Sequence, residues 1–273
     1  MKAKINHLTI LSEDNYALGR FYEGFFHMRP AGAQGALDDV RICDGRIGIN
    51  IKPRLSGHAA QLDHFGIEVD DIELAFARIR EGYPKIAWLE NPSSRAFPSI
   101  SSHDPDGNVF GLFQTGKNNS DEIYEAESRQ QAHAQDRVID HIALRVLHPQ
   151  KVAEFYAKVF DLTPLDKPSG GKNVYLSDGH VTLVIIPWRL GDFEKTGISA
   201  RGLDHIGFKV ESIAALKSDL ERATVKNYRF QPRTSILGQG NEGMGRLEMF
   251  RNACPLGCHH MADSDGLLID VRE

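Results

Sequence analysis

Four histidines, His7, His64, His141 and His205, each stand at the mouth of an alternating apolar stretch: "INHLTIL", "LDHFGIEV", "IDHIALRV" and "LDHIGFKV". A carboxylate stands at a comparable place near the end of the chain, in "LLIDV", where alternation turns Leu267, Ile269 and Val271 one way and Asp270 the other. An ionised carboxylate that points into a sheet interior is costly unless it is paired or bound to metal. Two neutral imidazoles and one carboxylate make a facial triad for Fe(II) or a similar divalent ion and leave positions open for substrate and oxygen. His141, His205 and Asp270 are therefore the candidate metal ligands. The first half offers His7 and His64 but has Gly111 where the carboxylate would stand, so no second metal is expected there.

The elements that position these groups recur along the chain. "RFYEGFFHMRP" (20–30) matches "EFYAKVFDLTP" (154–164), with Phe21, Tyr22, Phe26 and Pro30 set against Phe155, Tyr156, Phe160 and Pro164 at an offset of 134. His7 and His141 share that offset. Each histidine-bearing strand precedes a helical stripe, such as Ile213, Leu216 and Leu220. The histidine then lies on the strand face that the helix leaves uncovered. A glycine turn and a returning strand close each unit, at Gly45, Gly107, Gly179 and Gly266. The fold expected is α+β, with four βαβββ modules paired into two open barrel-like domains. Residues 1–115 form the first domain, polar residues 116–136 a linker, and residues 137–273 the second domain with the metal site.

The strand starts "DH-x-G/A" and the turns "D-x-D-G" resemble the vicinal oxygen chelate superfamily, the glyoxalase, bleomycin-resistance and type I extradiol dioxygenase group. Four modules with the triad in the last two are most similar to the two-domain extradiol enzymes. That resemblance implies a ring-cleaving dioxygenase in which Fe(II), or else Mn(II) or another divalent ion, chelates a catechol-like or other vicinally oxygenated compound beside O2. It also implies acid–base histidines. His260 stands where the family signature has tyrosine, and His180 lies in the third module, where the family carries such a histidine on a strand. The family's usual glutamate ligand is here Asp270, its upstream histidine is absent from "MFRNA" (249–253), and its proline is Ser264. A glyoxalase-like lyase or isomerase acting through an enediolate, and a ligand-sequestering protein of the resistance type, are the alternatives.

By alternation Arg145 and Lys209 face the same concavity, where they are candidates for a substrate carboxylate, with surface solvation the competing reading. "ACPLGCHHMAD" (253–263) carries Cys254, Cys258, His259 and His260, but its spacing is not that of a structural zinc site, and a loop over the mouth is expected. "GQGNEGMG" (238–245) lacks the P-loop lysine and reads as a connection or lid. The formal charge of −5 and pI near 6.2 carry no footprint for nucleic acid or an anionic membrane. Three cysteines point to a reducing compartment, and the N-terminus shows no signal-peptide pattern. A cytoplasmic homo-oligomer is expected, with a small aromatic or oxygenated substrate and O2 as its partners.

Overall fold

The computed structural model describes residues 1–31, 40–90, 100–116, 136–166, 171–196, 201–226, 248, 250 and 256–273. The linker core, the glycine-rich 238–245 stretch and Cys254 lie outside the described residues.

In the first module, β1 (Ala3–Ser12), α1 (Asn15–Phe26), β2 (Arg29–Pro30), β3 (Val40–Cys43) and β4 (Gly48–Pro53) follow in order. The second holds β5 (Gln61–Val69), α2 (Ile72–Gly82), β6 (Trp88–Glu90), β7 (Ile100–His103) and β8 (Val109–Gln114). The third holds β9 (Val138–Val146), α3 (Pro149–Phe160), β10 (Thr163–Pro164), β11 (Val174–Ser177) and β12 (Thr182–Pro187), followed by α4 (Leu190–Thr196). In the fourth, β13 (Gly202–Lys209) and α5 (Ile213–Lys226) precede β14 (His259–Ala262) and β15 (Leu268–Arg272).

In every module the last strand returns parallel to the first, because the helix makes the crossover. The four closing turns place Gly45, Gly107, Gly179 and Gly266 at φ of 91, 86, 95 and 88°, a region open to glycine. Modules join edge to edge through the antiparallel pairs β1·β5 and β9·β13. The result is two mixed sheets, eight-stranded β2-β3-β4-β1-β5-β8-β7-β6 and seven-stranded β10-β11-β12-β9-β13-β15-β14. Among the described residues neither closes into a barrel.

Helix α1 starts where the Asp14 side chain accepts from Ala17 N–H, and it turns Leu18, Phe21, Tyr22, Phe25 and Phe26 inward at helical spacing. It covers β3 and β4 of its own module, as expected. Its far side packs on the other sheet, where Phe26 stacks on Phe208 at 4.0 Å and Tyr22 O–H donates to Asp263 at 2.8 Å. Helix α3 mirrors this, with Phe160 against Phe110 at 5.5 Å and Tyr156 directed at Asp104 at 3.4 Å. Reciprocal bonds of 2.7 Å run from Ile139 N–H to Asp44 and from Ile5 N–H to Asp178. One continuous apolar core therefore spans both sheets. Burying each ring contributes about 2–3 kcal/mol against about 1 for a hydrogen bond, so aromatic packing dominates the joint.

Candidate metal centre

Strand register lines up side chains in rows across the face turned away from the helices. His260, Asp270, Gly207, His141 and Thr182 make one row over β14, β15, β13, β9 and β12. Beside it run His205, Ala143, Val184 and Tyr175 over β13, β9, β12 and β11. Ile269 and Val271 are buried in the common core, so alternation aims Asp270 at the concavity. Gly207 is required by close approach, because a Cβ there would meet the His141 ring at 1.9 Å.

His141, His205 and Asp270 are all fully buried, and their ligand atoms lie within 4.8 Å of one another. His141 Nε2 is 3.2 Å from Asp270 Oδ2. Neighbouring ligands of an octahedral ion with bonds of roughly 2.1 Å stand about 3 Å apart, so this spacing fits one. Among the described residues His141 Nε2, His260 Nε2 and Asp270 Oδ1 find no hydrogen-bond partner of usable direction, as atoms converging on a shared point would. The donor set of two imidazoles and a carboxylate suits Fe(II) or Mn(II).

The aspartate before each histidine explains the "DH" doublet. Asp140 lies 3.0 Å from His141 Nδ1, and Asp204 lies 2.7 Å from His205 Nδ1. Facing a carboxylate, Nδ1 carries the proton, which leaves Nε2 with a lone pair toward the centre. Each aspartate is itself held by an arginine: Arg145 Nε donates to Asp204 at 2.8 Å, and Arg272 pairs with Asp140. The Gly257 N–H donates to Asp270 Oδ2 at 2.9 Å.

The electrostatics follow from these contacts. Burial alone would raise Asp270, but His141 and His260 outweigh it and hold the carboxyl well below its usual range. Asp204 is likewise held low against burial, by Arg145 and His205. Burial lowers His205 below its ordinary value despite Asp204. His141 ends above its ordinary value because Asp140 and Asp270 outweigh burial. An ionised carboxylate and a neutral His205 are the protonation states that metal ligands require.

Of the other expected residues, His260 lies beside the cluster, with Nε2 3.2 Å from Asp270 Oδ1. His180 does not: it lies exposed on the turn before β12, in a surface cleft with Met1 and Lys2, because that turn projects to the side where the two halves meet. Arg145 is buried with its guanidinium committed to Asp204 and Asp192, so it orients a ligand's neighbour instead of waiting for substrate. Lys209 is exposed at the end of β13. The stretch expected to form a loop over the mouth becomes strand β14 from His259 onward. Among the described residues the His141, His205 and Asp270 group is the sole cluster with metal-ligand geometry, and it includes neither Cys258 nor His259.

Sequence reading passed over Asp140, Asp204 and Arg272, although the repeated aspartate before histidine was a usable signal. It also passed over Phe250, whose ring packs 4.8 Å from His205 and 4.7 Å from His260. With Ala143, Tyr175, Val184 and Ile186 it forms a second, small apolar cluster beside the centre.

Residues 138–270 match the family model described as the Glyoxalase/Bleomycin resistance protein/Dioxygenase superfamily. No curated protein matches the sequence. Among solved structures, the Mn(II)-bound glyoxalase from Novosphingobium aromaticivorans superposes with a TM-score of 0.61 at 15% identity, covering 98% of this chain and 81% of that one. Homoprotocatechuate 2,3-dioxygenase from Arthrobacter globiformis gives 0.62 at 11% identity, covering 98% and 78%. A xylose isomerase-like TIM barrel/4-hydroxyphenylpyruvate dioxygenase fusion protein gives 0.56 at 17% identity; the match covers 81% of this chain and spans 38% of that larger one. No helix of the described residues is long and apolar enough to cross a membrane.

Proposed function

The chain carries, over residues 138–270, a domain of the glyoxalase/bleomycin resistance protein/dioxygenase superfamily, and from that premise we propose that it is a ring-cleaving dioxygenase. Its substrate is a catechol-like or other vicinally oxygenated aromatic compound, and its ion is Fe(II) or Mn(II). The observation that carries this reading is the convergence of His141, His205 and Asp270, all buried, within 4.8 Å. These three would hold the ion from one side. When bound, such an ion supplies Lewis acidity to a diol and a redox partner for O2.

The chain's own residues do the rest. The side chains of Ala143, Tyr175, Val184, Ile186 and Phe250 form an apolar wall next to the centre, suited to the faces of an aromatic ring. Arg145 with Asp204, and Arg272 with Asp140, fix the imidazole tautomers so that no reorientation is needed at the moment of reaction. His260, on the strand beside Asp270, is placed to take a substrate hydroxyl proton and later return it.

A metal-dependent lyase or isomerase is the second reading, favoured by the Mn(II)-bound glyoxalase among the structural neighbours. Anaerobic purification, elemental analysis and an oxygen-electrode screen with catechols separate the two. The dioxygenase reading expects one Fe or Mn per chain, with O2 uptake matched to ring-opened product. Metal without O2 uptake favours the second reading, and a chain that takes up no divalent ion rules out both.

A further inference from the structure

Consecutive residues of a regular strand face opposite ways, yet Asp140 reaches Nδ1 of the very next residue, His141, at 3.0 Å. The pairing of β9 with β13 explains how. Gly207 pairs with His141 and Phe208 with Ile139, so Asp140 is an extra residue on β9, a β-bulge. A bulge re-aims a side chain, and here it lays the carboxylate beside its neighbour's ring. Asp204 is the extra residue on β13 in the same way, between the pairs of Leu203 with Leu144 and His205 with Ala143. Asn6 and Asp63 stand at the two corresponding irregularities between β1 and β5.

A bulge interrupts the ladder, so the backbone around it needs support from elsewhere. Strand β12 pairs with β9 only from His141 onward, so it offers Val138, Ile139 and Asp140 no partner. The support comes from the other half. Ile139 N–H donates to Asp44 Oδ2 at 2.7 Å. Asp44 sits in the turn between β3 and β4, where its Oδ1 accepts from the N–H groups of Arg46 and Ile47, each at 2.7 Å. Ile139 and Asp44 are both buried, so water does not replace that acceptor. Just ahead of the strand, Arg137 Nη1 donates to the Phe25 carbonyl at 2.5 Å, while Nε and Nη2 donate to Glu211 and Asp219. The residues leading into the Asp140 bulge are thus fixed by the N-terminal half, and the bulge in turn fixes His141.

We propose that Asp44, in the half without a triad, is a positioning residue for the metal centre: it anchors the bulge that sets Asp140 against His141, and so sets the aim of His141 Nε2. The inference rests on His141 as a ligand of the proposed centre. It gives the N-terminal half a part in metal binding without a metal of its own.

The molecule contains a matched control. Asp178 Oδ1 accepts from the N–H groups of His180 and Val181 at 2.8 and 2.7 Å, and its Oδ2 accepts from Ile5 N–H at 2.7 Å, next to the bulge at Asn6. The bonds are the same, but the ring that follows, His7, belongs to no metal-ligand group among the described residues.

The test is a chelator-competition titration of the full chain with Mn(II), run beside denaturant unfolding, on wild type, Asp44→Asn and Asp178→Asn. Each asparagine keeps an oxygen for its own turn and presents an NH2 to the strand of the other half. Both variants are expected to unfold at lower denaturant. Asp44→Asn alone is expected to weaken Mn(II) binding about tenfold and to change the EPR line shape of the ion that still binds. Wild-type affinity in Asp44→Asn overturns the proposal and leaves the metal centre standing. An equal loss of affinity in Asp178→Asn also overturns it, because general loosening would then explain both. If Asp44→Asn does not fold, Asp44→Ser, whose hydroxyl falls short of Ile139, is held to the same outcomes. A wild-type chain that takes up neither Mn(II) nor Fe(II) removes the metal centre itself, and this inference with it.

Discussion

The two concavities of this chain hold their histidine pairs in nearly the same way. His141 and His205 lie 5.4 Å apart at 84°, and His7 and His64 lie 5.6 Å apart at 90°. What differs is the company. Where one half has His260, Asp270, Ala143, Val184 and Tyr175, the other has Ser101, Gly111, Thr9, Asn50 and Arg41 at matching register. The space over Gly66 is shared by His7 and the Phe113 ring, whose centroids are 5.4 Å apart. The two halves therefore share the imidazole pair and differ in the carboxylate on the neighbouring strand, which the proposed metal centre requires.

The strongest way to break that contrast is to move the carboxylate. Asp270→Ala and His205→Ala are each expected to reduce bound Fe or Mn to background and abolish turnover, read by elemental analysis and the oxygen electrode. Gly111→Asp is the reciprocal change and is expected to raise metal stoichiometry from one toward two per chain.

The paired turns offer a contrast of a different kind. Asp263 and Asp104 occupy equivalent turns, each facing a tyrosine from the opposite helix. Asp104 also accepts from the Asn108 side chain at 2.6 Å, whereas Leu267 fills the corresponding position beside Asp263. Burial raises Asp263 to about 7 and raises Asp104 as well. The unfolded value is about 3.9, so between about pH 4 and 7 the folded state holds the extra proton. Its contribution to stability falls as pH rises through that window and is flat above it, a change on the order of a few kcal/mol. Denaturant titrations at pH 5 and 7.5 should show Asp263→Asn losing most of that slope and Asp104→Asn losing less of it.

Smaller effects test the glycines under the rings. A Cβ on Gly207 would meet His141 at 1.9 Å, and one on Gly66 would meet His7 at 2.2 Å. Each alanine substitution should destabilise by about 1–3 kcal/mol through overpacking. Only Gly207→Ala should also weaken metal binding. The mildest change, Asp204→Asn, is expected to lower metal affinity 10–100-fold, about 1.4–2.7 kcal/mol, while Asp63→Asn leaves it alone; competition with a chelator measures both.

The strands and the triad were legible because they rest on local pattern. Alternation around His205 and Asp270 is visible within a few residues, and the repeat offsets set the modules against each other. Other features depend on pairings that no short window contains. The row from His64 to Arg41 exists only because β4 pairs parallel to β1 and β3 turns back on β4. The family resemblance makes His180 a candidate as a histidine on a strand of the third module, yet it stands in the turn before β12, outside the strand itself. Arg145 looked available because its charge was visible and its partner, Asp204 on the adjacent strand, was not.

The exchange of helices between the sheets bears on how such a chain can be shortened in evolution or in the laboratory. Phe26 and Tyr22 belong to one half by sequence but complete the interior of the other. Excision of the N-terminal half would uncover Phe208 and take from Asp263 its tyrosine donor, even though no residue removed belongs to the triad. A half with glycine where the other has the triad carboxylate is thereby tied to the interior of its neighbour, and its surface is left at liberty to acquire a different task.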